Sequence, residues 1–361
     1  MRKITAILLT MVLLLLCSSC QNENELFDED DIIPKESEKE TAETVSSEVF
    51  EPKAKYAFEI DATGGIYISG KYDDTRDIQY YLCQHSVNNL FDFQQAWVIS
   101  NKNQSPRIHR AKEADRVLWG NGDWHAPFQI DAINHGDGDS EGVFFTGGVH
   151  GYKNISADAS PTATCLRIEF FADGNEIKIR DKGYADEITI CWENLVQASN
   201  TMKANGSGRE VLKASYTLTF KEDTFYSHTE LIPLEDIKCH LWYGMQMLYQ
   251  NGNDKTVWYV NGESSTSYDA SVASESGDAS CEMMRLVNNE SGLVQEMYLN
   301  TSVGLGTREL CNEGLQRAMF SMTYGKSYCT VIDSGAILCK GETYVLEGYY
   351  KMYKQSSIAD G

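Results

Sequence analysis

Three of the seven histidines in this 361-residue chain fall within 26 positions: His125, His135 and His150. They are embedded in glycine, in Trp119-Gly120-Asn121-Gly122-Asp123-Trp124-His125, in Asn134-His135-Gly136-Asp137-Gly138-Asp139-Ser140-Glu141-Gly142, and in Thr146-Gly147-Gly148-Val149-His150-Gly151-Tyr152-Lys153-Asn154. Glycine allows close backbone approach and positive φ. An imidazole takes or gives a proton near neutrality, and a tyrosine can serve as its partner. His150 and Tyr152 are two apart, so on a strand they share a face, with His125 and His135 approaching from neighbouring strands. Such a set suits β-elimination on a uronic acid. One group removes the C5 proton, a cation or amide steadies the carboxylate, and an acid protonates the leaving oxygen. Lys102, Arg107, His109, Arg110, Lys112 and Arg116 form a basic patch that supplies the cation, with Arg107 and Arg110 foremost and Asn154 as the amide. Trp119, Trp124 and, further on, Trp242 are the candidates for stacking on sugar rings.

Other chemistry is weighed on the same stretch. Asp137, Asp139 and Glu141 place oxygen ligands at alternating positions, as at the start of a calcium loop, with Gly142 sixth. The twelfth position is Gly148 where an EF-hand has glutamate, so an EF-hand is excluded; no cofactor is expected, and the stretch reads as a solvated acidic turn with a looser Ca2+ site as the alternative. A transition-metal site from the three histidines and Asp123 lacks any HxH or HExxH spacing. Paired carboxylates for glycoside hydrolysis stay open, because acids are plentiful and the fold decides their positions. Glu210, Glu230 and Glu235 lie in strand-like contexts without further distinction. The chain has no GxSxG elbow, Walker loop or dinucleotide fingerprint.

The elements that must hold these residues are strands. Apolar residues recur with period two in Gly65–Ser69, Thr164–Phe170, Glu187–Trp192, Ser215–Phe220, Met319–Tyr324 and Thr343–Tyr350. Turn residues punctuate them at Asp173-Gly174-Asn175, Asn205-Gly206-Ser207-Gly208, Asn251-Gly252-Asn253 and Asn261-Gly262. Only Ala198–Lys203 and Glu309–Gln316 read as helical turns. No repeat of fixed period appears, which argues against propellers and solenoids. The pattern predicts an all-β chain whose residues 56–361 form one large antiparallel β-sandwich with few short helices.

Before that body come two segments of another kind. Met1-Arg2-Lys3, the apolar run Ile4–Leu16 and Cys17-Ser18-Ser19-Cys20 read as a secretory signal over residues 1–19. The run is short of the ~20 residues of a membrane span. Residues 21–52 hold twelve acids against Lys35 and Lys39, so 20–55 reads as a solvated tether that cannot fold alone. The net charge is −22, which sets the chain against nucleic acid and anionic membrane surfaces. Cys83, Cys165, Cys191, Cys239, Cys281, Cys311, Cys329 and Cys339 remain for the body, an even count that permits one or two disulfides. None of these eight falls in a CxxC pair that would mark a structural zinc site.

Three resemblances add to this reading. Ser18-Ser19-Cys20, followed by acidic residues, resembles the lipobox and export signal of Bacteroidota surface lipoproteins. It implies a lipid on Cys20, an outer-membrane anchor and a body facing the cell exterior. The length and strand texture resemble the wide sandwiches of galactose-mutarotase-like proteins, a supersandwich fold that several polysaccharide lyases carry. Asp123-Trp124-x-x-Pro127, Thr146-Gly147-Gly148-x-His150-Gly151-Tyr152, Arg209–Leu212 and Trp242–Gln246 resemble stretches of phage and gut-bacterial β proteins; this likeness covers roughly residues 80–250 and brings no activity. The function expected is a surface lipoprotein acting on extracellular polysaccharide, a lyase before a hydrolase. Two alternatives stand beside it: a glycan-binding lipoprotein without catalysis, built on the tryptophans, and an adhesive or structural surface protein.

Overall fold

A computed structural model describes residues 54–119, 123–139, 142–152, 159–248, 255–260, 263–269, 274–277, 281–312, 318–321 and 326–355. All belong to the unit Pro52–Gly361. The expected signal, Cys20 and the tether up to residue 53 lie outside them.

The fold is all-β, and its layers are antiparallel sheets. Six strands form the first sheet, ordered Arg116–Trp119, Leu90–Ser100, Arg76–His85, Ile66–Asp73, Tyr56–Ile60 and Lys182–Ala185. A ten-stranded sheet faces it. Its centre is Leu293–Leu299, Tyr344–Lys354, Thr224–Pro233, Glu210–Lys221 and Ile188–Gln197. Alternation explains the layering. In Glu210–Lys221 the residues Leu212, Ala214, Tyr216, Leu218 and Phe220 are buried while those between them are half-buried or exposed, the period of a strand with one wet face.

Aromatic rings close the core between the two sheets. Tyr80 of the first sheet meets Phe225 of the second edge-on at 4.6 Å, Phe93 meets Phe225 at 5.7 Å, and Phe91 meets Trp192 at 5.6 Å. Each such side chain taken wholly out of water stabilises the fold by about 1.5–3 kcal/mol. The helical pieces among the described residues are the 3-10 turns Glu113–Asp115, Ser199–Thr201 and Gly304–Thr307. The second lies inside the expected turn Ala198–Lys203. The other expected turn, Glu309–Gln316, is not helical in its described part, 309–312.

Two smaller sheets complete the described body. One pairs Phe128–Ala132 with Ile237–Trp242 and Ile332–Leu338. The other joins Met245–Leu248, Lys326–Cys329, Ala318–Ser321 and Ser274–Gly277. Among the described residues no disulfide joins the body cysteines, so the one or two that an even count permits are not seen there. Cys83, Cys239, Cys281 and Cys329 are buried and pack as small apolar groups.

Candidate functional site: a buried carboxylate beneath His150

Three motifs that are distant in sequence meet where the small sheets abut the sandwich. Phe128 and Thr146 exchange backbone hydrogen bonds of 2.9 and 2.8 Å. The Trp242 indole donates to the His125 carbonyl at 2.9 Å and its ring stacks on Phe128 at 5.3 Å. The Gln246 backbone N–H donates to the Trp124 carbonyl, and its side-chain amide donates to the Ala126 carbonyl. Residues 123–128, 144–152 and 242–246 therefore form one structural unit.

The Gly147-Gly148 turn is its centre. Both glycines have positive φ, 76° and 55°. A Cβ on Gly148 would lie 2.2 Å from Asp123 Oδ1, whereas one on Gly147 would make only ordinary contacts from 3.6 Å. The turn is pinned from outside by Asn88, whose amide donates to the carbonyls of Gly148 at 2.8 Å and His150 at 3.0 Å. This brings the Val149 N–H to Asp123 Oδ1 at 3.0 Å. Asp123 is wholly buried, yet Lys326 Nζ lies 2.6 Å and His150 Nε2 3.6 Å from its other oxygen. Burial alone would raise the carboxyl pKa; the Lys326 and His150 charges outweigh it and hold it at about 2.

The imidazole over this carboxylate is about a quarter exposed. Its ring lies 5.2 Å from Phe145, which in turn approaches Tyr243, and Tyr243 packs on Tyr328 at 4.4 Å. At 3.6 Å the carboxylate is too far from Nε2 for a hydrogen bond, but its charge stabilises an imidazolium when one forms, and Nδ1 is left to accept a proton. His85 is half-buried, and its Nε2 is a buried atom without a hydrogen-bond partner. Burial pushes its pKa down, against the opposing charges of Asp92 and Asp123.

The remaining expected residues are dispersed. His125 is buried and hydrogen-bonds Ser227 Oγ at 3.0 Å; its Nδ1 lies 3.7 Å from Asp92, too long for a hydrogen bond. It packs against Tyr216, Tyr350 and Trp192 and is a core residue, closed to a polymer. Trp124 and Trp242 have no exposed surface, so neither is a stacking platform. Both went inward because neighbouring residues supply backbone partners that tie these segments into the core. Trp119 ends the strand Arg116–Trp119, and its side chain lies outside the described residues, as do Asn154 and Glu141.

His135 sits at the far end of Phe128–Ala132, roughly 15 Å along that strand from the His150 turn. The chain there has φ 59° and is clamped by Arg209, which reaches the His135 carbonyl, Asp137 and Glu235. Asp137 is thus paired with a guanidinium, and Asp139 accepts the Ala204 N–H at 3.0 Å. Among the described residues no three His, Cys, Asp or Glu groups converge on a metal position; Glu141, the third expected calcium ligand, lies outside them.

Two members of the basic patch, His109 and Arg107, serve the fold. Buried Asp77 binds Lys71, His109 and Asn101 at 2.9, 2.7 and 2.7 Å, and accepts the Arg107 N–H. Asp77 opens the strand Arg76–His85, and the Gly148 turn rests on Ser86 and Asn88 just past its other end. At 3.3 Å per residue the two places are roughly 25–30 Å apart. Arg107 and Arg110 therefore cannot anchor a carboxylate held beside His150. The cation that is there, Lys326, was not singled out from the sequence. Its strand is short and nothing local marks it; only the pairing of Met245–Leu248 with Lys326–Cys329 brings it in.

No protein-family model matches the chain, and no curated protein matches it in sequence. Among solved structures it is similar to the galactosidase domain of an α-galactosidase–sucrose kinase, at 7% identity and TM-score 0.43 over 80% of this chain. It is also similar to a GH36 α-galactosidase from Geobacillus stearothermophilus, at 11% identity and TM-score 0.39 over 83%. The chain spans 41% of each of those two. A galactose 1-epimerase from Lactobacillus acidophilus NCFM is similar over its whole length and 84% of this chain, at 8% identity and TM-score 0.34. Likenesses at this level carry no argument about the site.

Proposed function

We propose that the chain is an outer-membrane lipoprotein that acts on extracellular glycans at the Asp123–His150–Lys326 centre. Lipid on Cys20 anchors it, residues 20–55 tether it, and the body faces outward. The observation that supports catalysis is the partly exposed imidazole set over a wholly buried carboxylate whose pKa is held at about 2.

The reaction we favour is β-elimination on a polyuronate. His150 takes the C5 proton at Nδ1, and the Asp123 carboxylate stabilises the imidazolium. Lys326 steadies the substrate carboxylate as charge moves onto it, in place of the arginines expected from the sequence. Tyr152, two residues on, is the group assigned to protonate the leaving oxygen. The electrons of the C5–H bond form the new double bond as the C4–O bond breaks, so no cofactor is needed.

The test is cleavage of a polysaccharide panel, read by the ultraviolet absorbance of unsaturated uronates. His150→Ala should lower the rate on the cleaved polymer by about 10²–10⁴-fold with an unchanged melting temperature. A folded His150→Ala that keeps full activity would refute the assignment.

A further inference from the structure

We propose that the open face of the ten-stranded sheet carries a second binding site, independent of the His150 centre, which takes a ligand bearing a primary ammonium group. A cavity of about 490 Å³ lies over the strands Glu210–Lys221, Thr224–Pro233, Leu293–Leu299 and Tyr344–Lys354. Its aromatic wall is built by cross-strand neighbours. Tyr349 pairs with Tyr226 on one side and Tyr298 on the other. Tyr298 and Tyr349 stack at 5.0 Å, and Tyr226 meets Tyr349 at 6.3 Å, nearly perpendicular. The Tyr349 hydroxyl is held by Glu296 at 2.9 Å, which fixes the ring. Tyr226 is exposed.

The charge of the cavity sets the ligand. His228 lies between two carboxylates, with Nε2 3.2 Å from Glu230 and Nδ1 3.3 Å from Glu347. The second oxygen of Glu347 accepts from the Asn300 amide at 3.1 Å. Other carboxylates on this face have a lysine or arginine: Glu193 has Arg167 and Lys213, Glu187 has Lys221, and Glu296 has Arg285. Glu230 and Glu347 share one imidazole. Among the described residues this is where the face has two acids and no permanent cation of its own. The nearest lysine along the strand, Lys351, lies over the Tyr353 ring at 5.7 Å.

Tyrosine faces attract cations, and half-exposed carboxylates complete an ammonium's hydrogen bonds. The same field repels a uronate, so this cavity and the His150 centre select opposite charges. The ammonium has two sources, an amino sugar whose nitrogen is not acetylated or a free polyamine.

Calorimetry on the full chain in detergent separates them, with a glucosamine tetramer, an N-acetylglucosamine tetramer and spermidine as probes. The glucosamine tetramer should bind at least tenfold more tightly than its acetylated counterpart. Glu230→Gln with Glu347→Gln should abolish that preference, and the exposed Tyr226→Ala should weaken binding of the glucosamine tetramer in a chain that melts as wild type. Spermidine binding as tight as the glucosamine tetramer, and lost in the same variants, supports the ammonium site and names a polyamine as its ligand. Equal affinity for the two tetramers, or a preference that survives in both variants, overturns the proposal.

Discussion

At the scale of single residues the site depends on one carboxylate. With its pKa held at about 2 against an ordinary value of 3.8, Asp123 stabilises the fold above pH 3.8, and that contribution is lost as the pH falls towards 2. The shift corresponds to about 2 kcal/mol, so acid unfolding followed by circular dichroism should be less steep over this window in Asp123→Asn. At neutral pH the same variant leaves Lys326, only 12% exposed, without its counter-charge, and should lose about 3 kcal/mol in denaturant titration. The two glycines beside it should respond differently. Gly147→Ala carries the cost of a left-handed alanine, about 1–2 kcal/mol. Gly148→Ala adds a collision with Asp123 Oδ1 and should also remove catalysis, which a comparison of melting and turnover in the two variants will show. His150 was singled out in the sequence because glycines surround it. The fates of His125, Trp124 and Trp242 were not, because their burial is decided by partners about a hundred residues away.

At the scale of elements, alternation made most strands readable, and Asp173-Gly174 does make a tight hairpin with both φ positive, 48° and 75°. Another hairpin carries no such signal. Glu222 and Asp223 join Glu210–Lys221 to Thr224–Pro233 with φ 51° and 59°, a turn that favours Asn-Gly. The long register of the two strands, from Leu212↔Pro233 to Lys221↔Thr224, and a hydrogen bond from the Asp223 N–H to the Tyr56 hydroxyl at 3.0 Å hold them there. Replacing the pair by Asn-Gly should therefore raise the melting temperature by about 2 °C, the response to roughly 1 kcal/mol in a chain of this size. An unchanged or lower melting temperature would show that the two side chains contribute more than the backbone strain costs. The basic patch illustrates the opposite error. Five lysines and arginines and a histidine in fifteen residues resemble a ligand site, but buried Asp77 needs polar partners, and the loop 101–115 supplies His109 to it.

At the scale of the whole molecule, the all-β sandwich was legible from period-two patterning, while the placement of the four sheets was not, since it depends on long-range pairings such as Met245–Leu248 with Lys326–Cys329. The anchor we propose is testable by fractionation. Cys20→Ser should move the protein from the outer-membrane fraction to the soluble one, and external protease should clip the wild-type tether in intact cells; an unchanged membrane fraction would refute lipidation at Cys20. Two sites of opposite preference on one body, His150 with Lys326 for an anionic sugar and the tyrosine cavity for an ammonium, would let a single surface protein hold one polymer and act on another. The measurement that bears most directly on this account is cleavage of a panel of polyuronates by the wild-type chain and His150→Ala, followed by ultraviolet absorbance and reducing ends together. The expected result is a rise in both signals for the wild type and loss of both in a folded variant. Reducing ends without absorbance, or equal activity in the two proteins, would contradict elimination at His150.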